Sequence, residues 1–243
     1  MVALVLLPGM DGTTGPRAEF MAALGAGIEP SIEPSIEPCV VSYPADRTLG
    51  YAELEALARA ALPQDRPYVL LGESFSGPIA ISITAARPPQ LIGLVLCVTF
   101  ARNPRPVLGS LRRLLPLLPF GLAPIGLIGA FLLGRFATAP LLAAMRSTLT
   151  EVSIATLKAR IDAVARIDVR SALPRIRVPV LYLRATEDGL VPGRCADAIA
   201  AAVPQARIVD IEAPHLMLQV APAAAAAAVR AFVKTLKAIS AEP

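Results

Sequence analysis

The stretch Leu71-Gly72-Glu73-Ser74-Phe75-Ser76-Gly77 follows the apolar run Tyr68-Val69-Leu70-Leu71 and precedes Pro78-Ile79-Ala80-Ile81, which reads as the opening of a helix. A serine at a strand-to-helix junction with small residues on both sides has the pattern of a nucleophile elbow. Such a turn is tight, so Gly72 and Ser76, two positions either side of the serine, must be small for the backbones to pass. It lifts the hydroxyl above the sheet and aims the N–H groups of the new helix at the reaction centre. The usual pattern ends in glycine, whereas here Ser76 stands at that position and Gly77 comes one later. Ser76 is a poor nucleophile, because a motif centred on it would put Pro78 where a small residue is needed.

A serine nucleophile needs a base that exchanges a proton near neutral pH, and imidazole suits that task. The chain has one histidine, His215, after the strand candidate Arg207-Ile208-Val209-Asp210-Ile211 and before a helix starting near Pro222. A loop at the carboxyl end of a strand is where sheet enzymes keep their chemistry. For the acid, the run Val178-Pro179-Val180-Leu181-Tyr182-Leu183-Arg184 leads into Ala185-Thr186-Glu187-Asp188-Gly189. Asp188 is the choice that would hold the imidazole tautomer and stabilise the imidazolium. Glu187 is adjacent, and one residue of loop register would exchange the two.

The first motif of the chain is Leu4-Val5-Leu6-Leu7-Pro8-Gly9-Met10-Asp11-Gly12-Thr13-Thr14-Gly15, an apolar strand ending in a glycine-rich turn. In acyl transfer this turn would give one oxyanion N–H from Met10, with the other from Phe75 after the nucleophile. Glycine-rich turns also cradle phosphates, but no Gly-Lys-Ser/Thr follows and the dinucleotide spacing is absent. No cofactor or metal is called for.

The order Ser74, Asp188, His215, together with residues 7–12, Ser42-Tyr43-Pro44-Ala45-Asp46 and residues 72–77, resembles the α/β-hydrolase superfamily over nearly the whole chain. More narrowly it is similar to small bacterial serine esterases and acyl hydrolases, and to the hydrolase-like part of plant plastid acyltransferases. The resemblance implies Ser74 as nucleophile, Asp188 as acid and His215 as base. The familiar His-Gly oxyanion motif is replaced by Pro8-Gly9, so expectations tied to that histidine do not transfer. A serine rather than an aspartate nucleophile disfavours the dehalogenase and epoxide-hydrolase branches.

At 243 residues the chain fits an α/β architecture with one well-buried core. Strand candidates fall at 2–7, 39–43, 68–71, 91–100, 178–184 and 207–211, mostly separated by helical patterns at 51–61, 76–86, 193–202 and 222–238. This alternation predicts an α/β-hydrolase fold of about six parallel strands with helices on both faces, a helical cap insertion and no N-terminal hairpin. Residues 1–100 and 178–243 would form the core, and 101–177 the cap. Residues 28–38 repeat Ile-Glu-Pro with intervening serines and read as an expanded surface loop, since the prolines forbid a regular helix. Cys39, Cys97 and Cys195 are scattered, odd in number and without metal-ligand spacing, and no basic leader precedes the first strand. Cytoplasmic location is the default expectation.

From Leu114 through Gly134 the insertion has no charged residue, a length that would suit a membrane span. A crossing there would place Ser74 on one side and Asp188 with His215 on the other, so the span and the triad are incompatible. Pro116, Pro119 and Pro124 divide the stretch into short helices, as expected of a cap over an apolar acyl site. Charge is uneven: residues 101–177 carry twelve Lys or Arg against three acids, while the whole chain is only +4. A basic rim around apolar surface, with Arg102, Arg105, Arg112, Arg113, Arg135 and Arg146, could meet an acidic carrier protein or an anionic membrane surface. Nucleic acid is disfavoured, since Phe120, Phe131 and Phe136 are not interleaved with the arginines.

The expected activity is therefore a cofactor-free serine hydrolase acting on small-molecule carboxylic esters or thioesters with an apolar acyl group. Transfer of the acyl group to an alcohol on the same scaffold is the nearest alternative. A non-catalytic receptor for an apolar ligand is the competing class.

Overall fold

The computed structural model describes residues 2–25, 36–106 and 125–241, with the side chains of 125 and 237–241 excepted. Its elements run β1 (Val2–Leu7), α1 (Ala18–Gly25), β2 (Ile36–Val40), α2 (Tyr51–Ala60), β3 (Tyr68–Glu73), α3 (Gly77–Ala85) and β4 (Leu91–Cys97). After β4 come α4 (Ile125–Leu132), α5 (Ala139–Glu151) and α6 (Ile154–Arg166). The chain then returns through β5 (Val180–Ala185), α7 (Arg194–Ala202), β6 (Ala206–Ile211), α8 (Met217–Val220) and α9 (Pro222–Ala241).

The six strands form one sheet in the order β2-β1-β3-β4-β5-β6, every neighbouring pair parallel. Parallel strands are joined by crossovers that leave helices on the faces, so both faces must be apolar. The period-2 alternation of a strand then sorts side chains between two cores. Ala3, Val5 and Leu7 of β1, Leu70 of β3 and Tyr182 of β5 pack with Leu54 and Ala58 of α2, Ile79 of α3 and Ile199 of α7. Val2, Leu4 and Leu6, with Leu71 and Leu183, pack on the other face with Phe20 and Leu24 of α1 and with Ala225, Val229 and Val233 of α9. Burying a leucine of this kind contributes roughly 1.5–3 kcal/mol.

Strand and helix ends shift by a residue or two in several places, and two strands differ by three residues from the sequence reading. The second strand spans Ile36–Val40 rather than 39–43, so the last three residues of the Ile-Glu-Pro repeat are strand rather than loop. β2 is an edge strand paired only with β1, with Pro38 opposite Leu4, and an edge tolerates a residue that cannot donate to a second neighbour. The rest of the repeat lies outside the described residues. β4 stops at Cys97 rather than 100, because Val98 turns the chain out of the sheet with φ 44°.

The chain between β4 and β5 returns to its own root through an isolated antiparallel bridge between Arg102 and Asp168. Arg112, Arg113, Phe120, Pro116, Pro119 and Pro124 lie outside the described residues. Among the described residues no helix is long and apolar enough to cross a membrane. The apolar α4 does leave Leu127 and Phe131, one turn apart, 57% and 56% exposed.

Strand order fixes where chemistry can sit. From β1 the chain moves outward on one side to β2, then begins β3 on the other side, so β1 and β3 flank a topological switch point. Beyond the carboxyl ends of strands at such a point lies an open crevice. The glycine-rich turn follows β1 and Ser74 follows β3, one on each side of that crevice.

Candidate active site

Ser74 is the first residue after β3 and takes φ 47°, a left-handed conformation. For a non-glycine residue this costs on the order of 1–3 kcal/mol and persists only where the surroundings impose it. Here the Ser74 carbonyl accepts from the Gly77 N–H and from the Thr99 hydroxyl. Thr99 is itself held, its N–H donating to the Tyr182 hydroxyl at 3.0 Å and that hydroxyl donating to the Thr99 carbonyl at 2.5 Å. Burial drives the Tyr182 phenol well above its ordinary pKa, so it stays a donor.

Steric contact explains the displaced glycine of the motif. A Cβ on Gly77 would lie 1.9 Å from the Thr99 hydroxyl oxygen, and one on Gly72 would lie 2.7 Å from the Ala80 Cβ. The need for no side chain falls on 77, which leaves 76 free to carry a hydroxyl. Ser76 is fully buried and donates to the Pro8 carbonyl at 2.5 Å, tying the elbow to the glycine-rich turn. With its proton so committed, its oxygen accepts from the Tyr43 hydroxyl at 2.9 Å.

Asp188 and His215 reach Ser74 from the loops after β5 and β6. The Ser74 Oγ lies 2.8 Å from His215 Nε2, and His215 Nδ1 lies 2.8 Å from Asp188 Oδ2. The other carboxylate oxygen, Oδ1, accepts from the Leu190 and Val191 N–H groups at 2.7 and 2.8 Å, which turns Oδ2 toward the imidazole. An N–H on Nδ1 directed at this carboxylate leaves Nε2 as the acceptor facing the serine hydroxyl. The two side chains are 5% and 3% exposed, which excludes competing water. Glu187 does not approach the imidazole: Arg135 takes it together with Glu212, and that pairing holds its pKa below the usual carboxylate range. The acid and base loops are also stitched by backbone bonds from Thr186 to Ile211 and from Glu187 to Ala213, at 3.0 and 3.1 Å.

Met10 and Phe75 belong to one apolar cluster beside the elbow. The Phe75 ring stacks on Tyr51 at 4.7 Å between centroids, and the Tyr51 hydroxyl donates to the Phe75 carbonyl at 3.0 Å. Phe75 lies in the first turn after the strand, where N–H groups lack a preceding helical carbonyl.

Arg17 and Arg160 are the parts of the site that sequence reasoning missed. Arg17 is 2% exposed; its Nε donates to Glu73 Oε2 at 2.7 Å, and its other nitrogens grip both oxygens of Asp11 at 2.5 and 2.8 Å. It thereby joins the residue before Ser74 to the glycine-rich turn. Burial would raise the Asp11 pKa, but the charge and hydrogen bonds of Arg17, with those of Thr13, hold it below the ordinary value. The signal was present: Glu73 ends an apolar strand, and a buried carboxylate requires a cation. Arg160, on α6, reaches the same turn from the other side.

A family model for the alpha/beta hydrolase family matches residues 3–229 of this chain. No curated protein matches it. Among solved structures it is similar to an enol-lactonase from Burkholderia xenovorans LB400, with 18% identity, 96% of this chain and 91% of that one covered, and a TM-score of 0.79. A hydrolase from Pseudomonas aeruginosa PA01 gives 21% identity, 96% and 89% coverage and a TM-score of 0.77. An esterase from Exiguobacterium antarcticum gives 17% identity, 96% and 92% coverage and a TM-score of 0.76. At these identities the structures testify to the fold, and with the family match over most of the chain they establish that this protein belongs to the alpha/beta hydrolase family.

Proposed function

We propose that the protein is a serine-dependent hydrolase of carboxylic esters or thioesters with an apolar acyl group. The observation that carries this reading is the unbroken chain from Ser74 Oγ to His215 Nε2 and from His215 Nδ1 to Asp188 Oδ2, each step 2.8 Å. Ser74 Oγ attacks the acyl carbonyl while its proton passes to His215 Nε2, and Asp188 stabilises the imidazolium. The N–H groups of Met10 and Phe75 receive the negative oxygen of the tetrahedral intermediate. His215 then protonates the leaving alcohol or thiol, the carbon–oxygen or carbon–sulfur bond breaks, and the acyl-enzyme remains. Water, deprotonated by His215, attacks that ester and releases the acid. The left-handed backbone of Ser74 supports the nucleophile role, since strain of this kind persists at sites where it serves function. The basic, apolar chain between β4 and β5 is the segment we assign as cap.

The test is hydrolysis of a chromogenic ester series of increasing acyl length by wild type and Ser74→Ala. A fall in kcat of about 10⁶ in the variant is expected. Equal turnover by both proteins would remove the serine mechanism, and no turnover by either would favour a receptor.

A further inference from the structure

Six consecutive carbonyls after β1 each accept a hydrogen bond, one from within the turn and five from groups beyond it. Pro8 O accepts from the Ser76 hydroxyl at 2.5 Å, Gly9 O from the Gly12 N–H at 3.0 Å, and Gly12 O from the Tyr43 N–H at 2.9 Å. Thr13 O accepts from Arg17 at 3.0 Å. The two central carbonyls, Met10 O and Asp11 O, accept from one nitrogen of Arg160, at 2.6 and 3.0 Å. The second terminal nitrogen of Arg160 donates to Pro44 O at 2.9 Å, and the guanidinium lies 5.9 Å from the centre of the Tyr43 ring. Arg160 is 1% exposed although it belongs to α6, in the insertion between β4 and β5. The start of α6 is moored to the same loop, the Ser153 N–H donating to Ala45 O at 2.9 Å.

A turn whose carbonyls are all engaged has its peptide planes fixed, and with each plane the direction of the following residue's N–H. Most of these anchors come from within the sheet domain. The central pair does not: it depends on a side chain from the insertion, 150 residues away from Met10 in sequence. Charge-assisted bonds from a guanidinium are about twice as strong as neutral ones, and the planar fork reaches several acceptors at fixed angles.

We propose that Arg160 is a positioning residue for acyl transfer: by holding Asp11 O it sets the Asp11–Gly12 peptide, whose N–H donates to Gly9 O, the carbonyl that shares a plane with the Met10 N–H needed to hold the oxyanion, so that the insertion is part of the catalytic machinery and not only a cover. This rests on the serine-hydrolase reading above. Arg160 does not touch substrate; it acts through the turn. Displacing a reacting group by about 1 Å can lower a rate about 10²-fold, and losing one oxyanion donor lowers it about 10²–10³-fold.

The experiment compares wild type, Ser74→Ala, Arg160→Met and Arg160→Lys on the best chromogenic ester, with rates divided by active sites titrated with a fluorophosphonate. Inhibition by an alkyl trifluoromethyl ketone is measured in parallel. Its carbonyl carbon bonds to Ser74 Oγ, the serine proton passes to His215, and the carbonyl oxygen becomes an oxyanion in the proposed hole. Arg160→Met is expected to lower kcat per titrated site about 10²-fold with KM within about threefold, and to raise the ketone inhibition constant by the same factor as kcat/KM falls. Arg160→Lys keeps stem and charge but cannot span three carbonyls, so it should fall between the two. It decides alone if the Met variant does not fold. A reduced titrated fraction with unchanged kcat per site would reduce Arg160 to a folding role and overturn the proposal. Wild-type turnover that survives Ser74→Ala would sink the hydrolase reading itself, whereas a serine-dependent wild type with unimpaired Arg160 variants would sink only the positioning role.

Discussion

Arg17 and Arg135 each hold two carboxylates, and they differ in almost nothing but water. Arg17 lies beneath the glycine-rich turn between Asp11 and Glu73, with Arg17 and Glu73 only 2% and 3% exposed. Arg135 bridges Glu187 and Glu212 over the loops that carry Asp188 and His215, and is 59% exposed. Both clusters link elements that meet around Ser74, Asp188 and His215, and their contact distances are similar. The buried one is the more demanding, since Arg17 and Glu73 have no solvent to turn to when a partner is lost, and Asp11 has little. The exposed one has water as an alternative partner for every group. Burial, and not the count of ion pairs, should decide what each is worth.

The largest expected effect is therefore at Arg17. Arg17→Met keeps much of the volume and removes the charge, leaving Glu73 buried without its cation and Asp11 without its nearest one. Breaking a buried ion pair by removing one partner typically costs about 3–5 kcal/mol. Urea unfolding, followed by far-ultraviolet circular dichroism, should show a loss of that size. A loss no greater than that of a surface substitution would break the contrast between the two clusters.

Acid titration sharpens the same contrast. Asp11 is held below its ordinary pKa in the folded protein, so its contribution is fully present above the unfolded value of about 3.9. That contribution is lost as pH falls through the lowered folded value, because the unfolded chain then binds the proton first. Unfolding free energy should accordingly decline as pH drops from about 4 downward. In Arg17→Met burial is opposed only by the Thr13 hydrogen bonds and the charge of Arg160, so the Asp11 pKa rises from its wild-type value. That variant should lose less stability than wild type as pH falls below about 4. Parallel pH profiles for the two proteins would remove the Arg17–Asp11 charge as the cause.

Arg17 and Arg160 mark where sequence legibility ended. The strands were readable because a parallel sheet covered on both faces needs short apolar runs, and residues 2–7, 68–71 and 91–97 have that character. β2 was displaced because Pro38 reads as a breaker unless the strand is known to be an edge, which only the strand order reveals. α1 was overlooked although Phe20 and Leu24, one turn apart, are its two buried residues. Ser74, Asp188 and His215 could be singled out because elbow chemistry is local and a lone histidine has no rival. Their mutual distances had to come from the fold. Arg160 was hidden for a related reason: it sits among the basic residues of the insertion, and nothing in its neighbourhood separates it from the solvated arginines there. Its acceptors are main-chain carbonyls, which carry no residue identity to pair with. A charge that docks on backbone leaves no complementary letter in the sequence.

The smallest expected effect is at Arg135. Its bonds to Glu187 raise its own pKa and lower that of Glu187, yet every oxygen and nitrogen involved stays open to solvent. Salt should act on this cluster first, since the screening length falls from about 10 Å at 0.1 M to about 3 Å at 1 M. Arg135→Gln is expected to leave the urea midpoint indistinguishable from wild type in 1 M sodium chloride and close to it in 0.1 M. The same protein should keep the ester kcat within about twofold, because backbone bonds from Thr186, Glu187 and Leu216 already hold the two loops without the arginine. Should Arg135→Gln lower stability as far as Arg17→Met does, at either salt concentration, solvent access would not be what separates the two clusters. The loops carrying Asp188 and His215 would then depend on an ion pair that water fails to replace.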